Sequence, residues 1–226
     1  MMTSAVNHYL GSSIGRKQLV AVTGLLLCGF LVGHLSGNFL LMVGPDAFNL
    51  YSHKLISLGA LLWLIEAGLG LVFLVHLGLA IKLTIENKKA RGVQKYAVKR
   101  NTGRGTTFMS ATMPYTGLVL LVFIILHLMN LKFGAYYETT VGGVVMRDIY
   151  RTTMEYFANP VNVAWYVVAM VCAALHTAHG FASAFQSLGL NHGRYYPKIK
   201  LIGYVYAVAV GGGFAFLSVW AYLKGV

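Results

Sequence analysis

LVAVTGLLLCGFLVGHLSGNFLLMV, residues 19–43, runs from end to end without an Asp, Glu, Lys or Arg. A helix needs about 20 apolar residues to cross the roughly 30 Å hydrocarbon core of a bilayer, and this run is long enough. Four more such stretches follow, at Leu58–Leu83, Met113–Phe133, Asn162–Gln186 and Ile199–Tyr222. With 57% hydrophobic and 11% charged residues, the composition is not that of a water-soluble domain. The expected fold is an all-α integral membrane protein of five transmembrane helices, with residues 1–226 forming a single transmembrane domain and no soluble domain of useful size.

Polar residues lead the first span (His8, Ser12, Ser13, Arg16, Lys17, Gln18), and no small-residue cleavage site follows a short apolar core. The segment is therefore expected to remain as the first helix and not to be removed as a signal peptide. Cys28 and Cys172 fall inside spans, where each reads as a small packing residue, so they say nothing about redox compartment.

Most of the 18 Lys and Arg residues collect on one side of the five spans. Lys88, Lys89, Arg91, Lys95, Lys99, Arg100 and Arg104 lie after the second span, and Arg16, Lys17, Lys82, Arg194, Lys198 and Lys200 fall on the same side. The positive-inside bias makes that side cytoplasmic, with the N-terminus inside and the C-terminus outside. The net charge of +12 is accounted for by this bias and by a docking surface for peripheral subunits, for which Glu86–Arg104 and the N-terminal residues are the candidates; nucleic acid ranks behind both.

Four histidines, His34, His76, His127 and His176, each sit deep in a different span. A titratable side chain there is costly unless paired or bound. Thr23-Gly24-Leu25 precedes His34 by eleven residues, and Thr116-Gly117-Leu118 precedes His127 by the same interval, so the first and third spans read as equivalent elements. These two run outward and the second and fourth run inward. His34 and His127 therefore fall toward the outer face and His76 and His176 toward the inner one, with about 10–15 Å between the levels.

Two imidazoles per level, on two helices of one bundle, is the arrangement that bis-histidine haem requires, so the first four spans are expected to form a diheme-binding bundle. A lone membrane histidine is more often an interhelical hydrogen bond than a ligand, but four at two matched depths favour haem. A transition-metal site would gather histidines at one depth and add carboxylates or thiolates, whereas only Glu66 is plainly within a span. His179 shares a helix face with His176, and the residues alone leave open which of the two ligates. The many glycines around the histidines (Gly24, Gly33, Gly37, Gly78, Gly117, Gly180) suit a flat macrocycle and ordinary helix packing equally.

SSIGRKQLVAVTGLLLCGFLVGHLSGN (Ser12–Asn38), DAFNLYSHKL (Asp46–Leu55), VFLVHLGLAIK (Val72–Lys82), TGLVLLVFIILH (Thr116–His127) and LHTAHGFASAFQSLGL (Leu175–Leu190) succeed one another in a particular order and spacing. In that order the chain resembles, over essentially its whole length, the diheme cytochrome b membrane-anchor subunit of succinate:menaquinone oxidoreductases and quinol:fumarate reductases. The resemblance implies His34 and His127 as axial iron ligands of a distal haem b, and His76 and His176 as those of a proximal one. His176 precedes Gly180 by the family's four residues, which makes His179 a neighbour. Arg16, Lys17, Gln18, Lys82 and Arg104 stand at heights suited to haem propionates. Some relatives carry an acidic residue two positions before the fourth-span ligand, assigned to proton movement; Ala174 occupies that position here.

The function so implied is electron transfer between menaquinone and a cytoplasmic FAD flavoprotein and iron-sulfur subunit pair that interconverts succinate and fumarate, with the chain in the cell inner membrane. The chain has no Gly-rich dinucleotide fingerprint and no cysteine cluster, so flavin and iron-sulfur centres belong to partners. A quinone site is expected at the outer end near the distal haem, with Glu66 as its proton-exchanging group and His53 and Lys54 as weaker candidates. The other classes open to the sequence are a diheme anchor of a hydrogenase or formate dehydrogenase, and a haem-free metal transporter or structural membrane protein.

Overall fold

The computed structural model describes Tyr9, residues 11–90 and residues 107–225. Its spans are α1 (Ser13–Asn38), which continues through Phe39 into α2 (Leu40–Val43); α4 (Ala60–Ala90); α5 (Phe108–His127), which runs into a π-helical turn at Leu128–Lys132; α7 (Pro160–Ser187); and α8 (Tyr196–Gly225). The protein is a multi-pass, almost wholly helical membrane protein. Each span contains most of its apolar window and reaches beyond it. The second begins at Ala60 and not Leu58, because Leu58–Gly59 form a turn.

Short side chains start these helices where the pattern of apolar residues begins. Ser12 Oγ accepts from Gly15 N (3.0 Å), Thr107 Oγ1 from Ser110 N (3.1 Å) and Asn159 Oδ1 from Val161 N (2.9 Å), each satisfying an amide that lacks a helical partner. Pro160 follows Asn159 at the first helical position, where its missing N–H costs nothing.

Packing among the first four spans follows a ring. α4 lies on α1, α1 on α7, and α7 on α5, so that α4 and α5 stand at the two ends of this series. In such a ring α1 and α5 are diagonal to each other, as are α4 and α7. Arg16 Nη2 donates to Glu86 Oε2 (2.9 Å), tying the start of α1 to the end of α4 and showing that the two run antiparallel. That end, with Lys82, Lys88, Lys89 and Lys200, is the basic face. No residue of α4 is buried, and Trp63, Leu64, Leu71 and Leu74 are each more than 60% exposed. In water such a surface would aggregate, whereas in lipid it meets its match.

The fifth span, α8, closes the outside of the ring against α7 and α1. A methyl group on Gly211 would stand 2.9 Å from both Ala174 Cβ and Met170 O, and one on Gly213 would stand 2.9 Å from Leu35 Cδ2. Tyr206 Oη donates to Cys28 O (2.9 Å). Ala174 therefore faces α8 at a close approach. A carboxylate there would be driven into the α8 backbone, which is a physical reason for alanine at this position.

Opposite the basic face lies a cap that the apolar windows do not foretell. Gly44 (φ 137°) breaks the chain after α2, and Pro45 starts α3 (Pro45–Ile56). β1 (Glu138–Val141) pairs antiparallel with β2 (Val144–Arg147) through Gly142 and Gly143, both at positive φ (58° and 81°), as a tight hairpin turn demands. α6 (Ile149–Phe157) follows, capped by Asp148. Buried Asn49 of α3 donates to Asp148 Oδ1 (2.9 Å) and accepts from Tyr150 N (2.9 Å), while Arg147 donates to the carbonyls of Lys132 (2.7 Å) and Leu131 (3.1 Å). Leu41, Phe48, Phe157, Val163, Tyr166 and Ala221 form the core beneath.

Because Gly211 meets backbone and Gly212 meets nothing within 4 Å, the two are a matched pair. Gly211→Ala should cost about 1–3 kcal/mol by overpacking, read as a lowered unfolding midpoint in detergent. Gly212→Ala should leave the midpoint unchanged.

Candidate functional site

On the basic-face side, His76 of α4 is seated against α1. Its Nδ1 stands 3.2 Å from Thr23 Oγ1 and 3.2 Å from Val20 O. A carbonyl only accepts, so this contact requires a proton on Nδ1. The threonine hydroxyl spends its own proton on Leu19 O (2.7 Å) and is left to accept from the imidazole. In the neutral ring, Nε2 is then the nitrogen with the free lone pair.

His176 of α7 is seated in the same manner against α5. Its Nδ1 is 3.1 Å from Thr116 Oγ1, which donates to the carbonyls of Thr112 (3.2 Å) and Met113 (3.1 Å). Gly24 and Gly117 pass beneath the two rings. A Cβ at Gly24 would lie 3.1 Å from His76 Cε1, and one at Gly117 3.5 Å from His176 Cε1.

At the other level His34 of α1 and His127 of α5 meet directly, with ring centroids 5.8 Å apart and planes at 88°. His127 Nδ1 is 3.0 Å from the hydroxyl of buried Tyr166, and His34 lies between Phe30 (5.2 Å) and Phe214 (5.5 Å) with Asn38 Nδ2 at 3.4 Å from its Nδ1. Rings this close would let one metal ion take a nitrogen from each.

Thr23 and Thr116 each precede their own helix's histidine by eleven residues, so the two levels stand about 16 Å apart along the axis at ~1.5 Å per residue. The two imidazoles of each level come from diagonal helices of the ring, the geometry in which side chains can converge on a bundle axis. None of the four Nε2 atoms has a hydrogen-bond partner among the described residues. Nor does any group of three or more His, Cys, Asp or Glu side chains converge among them. Among the described residues the four deep histidines stand as two pairs, one at each level.

Of the candidate carboxylate partners, Arg16 is the one drawn inward. It is largely buried, its Nη1 donates to Gly11 O (2.7 Å), and its Nε is buried without a partner. Spaced i, i+4, i+7 with Val20 and Thr23, it shares the helix face that seats His76. Lys17 and Lys82 are exposed, and Gln18 is engaged by Tyr9. Arg104, with residues 91–106 of the basic connection, lies outside the described residues. His179 has no hydrogen bond among the described residues, in contrast to the anchored His176.

At the hairpin-side level a cavity of about 210 Å³ opens beside His34 and His127, lined also by Asn38, Tyr51, Ser52, Lys132 and Thr153. Glu66 is paired with Lys132, both about one-third exposed, so its carboxylate is compensated and lies at the cavity's edge through its partner. Neither His53 nor Lys54 lines the cavity; Tyr51, Ser52 and Leu55 of the same helix do. Lys132, Tyr166 and the two threonines were not singled out by sequence as partners of the site. The repeated Thr-Gly pair was visible, but its connection is to the histidine of a neighbouring helix. No family model, no curated protein and no solved structure matches the chain.

Tyr166→Phe removes the one polar contact that His127 Nδ1 makes among the described residues, and should cost about 1–3 kcal/mol for the nitrogen left unpaired. A double-mutant cycle with His127→Leu, followed by thermal unfolding, should return a coupling of that sign.

Proposed function

We propose that the chain is a diheme cytochrome b that carries electrons through a membrane, its axial iron ligands being His34 with His127 and His76 with His176. The observation that carries this reading is the set of four imidazoles in two diagonal pairs, three of them held at Nδ1 and none bonded at Nε2 among the described residues. Each haem, when bound, supplies a one-electron carrier. The residues fit the group: two nitrogen ligands per level, glycines beneath two rings, and at Arg16 a buried guanidinium nitrogen that lacks the acceptor a propionate offers.

The chain's own residues do the rest. Thr23, Val20 and Thr116 hold the ligand tautomers at one level, and Tyr166 orients His127 at the other. Phe30 and Phe214 pack against the His34 ring. Lys132 and Glu66, beside the cavity at the His34 level, offer a donor and an exchangeable carboxylate to a quinone head group.

The stretches quoted from the sequence support a finer reading. In it the protein is the membrane anchor of a succinate:menaquinone oxidoreductase or quinol:fumarate reductase, passing electrons between menaquinone and an FAD flavoprotein with its iron-sulfur subunit. The positive-inside bias sets the basic face toward the cytoplasm of a cell inner membrane, with the C-terminus outside. His76 and His176 then lie nearer the soluble subunits, and the quinone site lies near the outer surface.

His34→Ala or His127→Ala should lose one haem, and His76→Ala or His176→Ala the other, counted by reduced-minus-oxidised absorbance per chain. His179→Ala should keep both, and loss of a haem in that variant with retention in His176→Ala would reverse the assignment. In a separate experiment, Glu66→Gln should slow quinone turnover while leaving both haem spectra and dye-linked succinate oxidation intact. Unchanged quinone kinetics would remove Glu66 from the mechanism.

A further inference from the structure

The Thr-Gly pair occurs once in α1 and once in α5, and in neither helix does it touch that helix's own deep histidine. Thr23 and Gly24 meet His76 of α4, and Thr116 and Gly117 meet His176 of α7, at nearly equal distances (3.2 and 3.1 Å from Oγ1 to Nδ1). α1 and α5 thus each serve both levels, giving a ligand to one and a seat to the other. Eleven residues separate the two functions in both helices, and that interval carries each helix from one level to the other.

Resting on the haem reading above, we propose that Thr23 and Thr116 are positioning residues that act through His76 and His176, setting their tautomer and strengthening them as ligands. Each hydroxyl donates to a carbonyl of its own helix, so it presents a lone pair to Nδ1–H. A hydrogen bond accepted from Nδ1–H makes the imidazole more basic at Nε2 and favours the oxidised metal. Gly24 and Gly117 leave room for the ring to lie against the helix. At Gly24 a methyl group would stand 3.1 Å from the imidazole carbon and would force the ring to move; at Gly117 the same contact is 3.5 Å and ordinary.

The two seats differ in one respect. His76 retains Val20 O as a second acceptor at 3.2 Å, whereas Thr116 is the one partner of His176 Nδ1 among the described residues. Loss of the hydroxyl therefore weakens His176 more than His76.

Thr23→Val and Thr116→Val keep shape and delete the hydroxyl; Thr23→Ser and Thr116→Ser keep the hydroxyl. On the intact complex, spectroelectrochemical titration and low-temperature electron paramagnetic resonance should show both Val variants raising the midpoint potential of one and the same haem. That haem is the one abolished by His76→Ala, not the one ligated by the histidine on the mutated helix. The shift should be larger for Thr116→Val, its low-spin signal should move, and the Ser variants should restore both readouts. Potentials and signals unmoved in both Val variants, or a shift confined to the haem of His34 and His127, would overturn the proposal while leaving the diheme reading in place. Wild-type protein free of haem would overturn the diheme reading and this proposal with it.

Discussion

An imidazole in hydrocarbon has two polar nitrogens and no water to satisfy them, and four such rings at the depth of a bilayer constrain everything around them. The chain meets the constraint at Nδ1. His76 is bonded to Thr23 and Val20, His176 to Thr116 and His127 to Tyr166, each on a neighbouring helix, while His34 has a longer contact to Asn38 and two aromatic faces. Among the described residues Nε2 has no hydrogen-bond partner in any of the four rings, and a bound metal is a partner that would satisfy two rings at once. Neighbouring helices supply the seats and diagonal helices supply the pairs. The order α4, α1, α7, α5 around the ring places each seat on a neighbouring helix and each pair on a diagonal.

The remaining structure keeps this arrangement in place. α8 adds no histidine to the bundle; it packs through glycine and alanine on α7 and α1, close enough that Ala174 has little room beyond its methyl group and Gly211 has no room for one. The cap of α3, the hairpin and α6 is tied by Asn49 to Asp148 and by Arg147 to the carbonyls of the π-helical turn that directly follows His127. Such turns leave carbonyls without regular helical partners, and here the half-buried Arg147 takes them. The same turn ends at Lys132, which pairs with Glu66 and lines the cavity beside His127.

How far the sequence could be read differs from element to element. The spans were legible because hydrocarbon imposes a length and an apolar composition on each helix separately, a local property. The four deep histidines were legible because they are exceptions to that composition. Hairpin and cap were not, since Glu138–Arg147 and α6 are too short and polar for an apolar window, although Gly142-Gly143 between valines is a turn signal that reading for hairpins detects. The Glu66–Lys132 pair joins residues of different helices, and no spacing along the chain encodes it. Thr23 and Thr116 form an intermediate case. Their repeat suggested equivalent helices, while their role depends on which helix lies alongside, a fact of packing.

The central claim is that the four imidazoles hold two haems, one at each level. It is tested most directly by purifying the chain with its native lipid and measuring the ratio of haem iron to protein together with the low-temperature electron paramagnetic resonance of the oxidised form. The account requires two haem irons per chain, both ferric low-spin with bis-imidazole signals. One haem or none per chain at full occupancy, or a high-spin signal from an iron with a single imidazole, would contradict it.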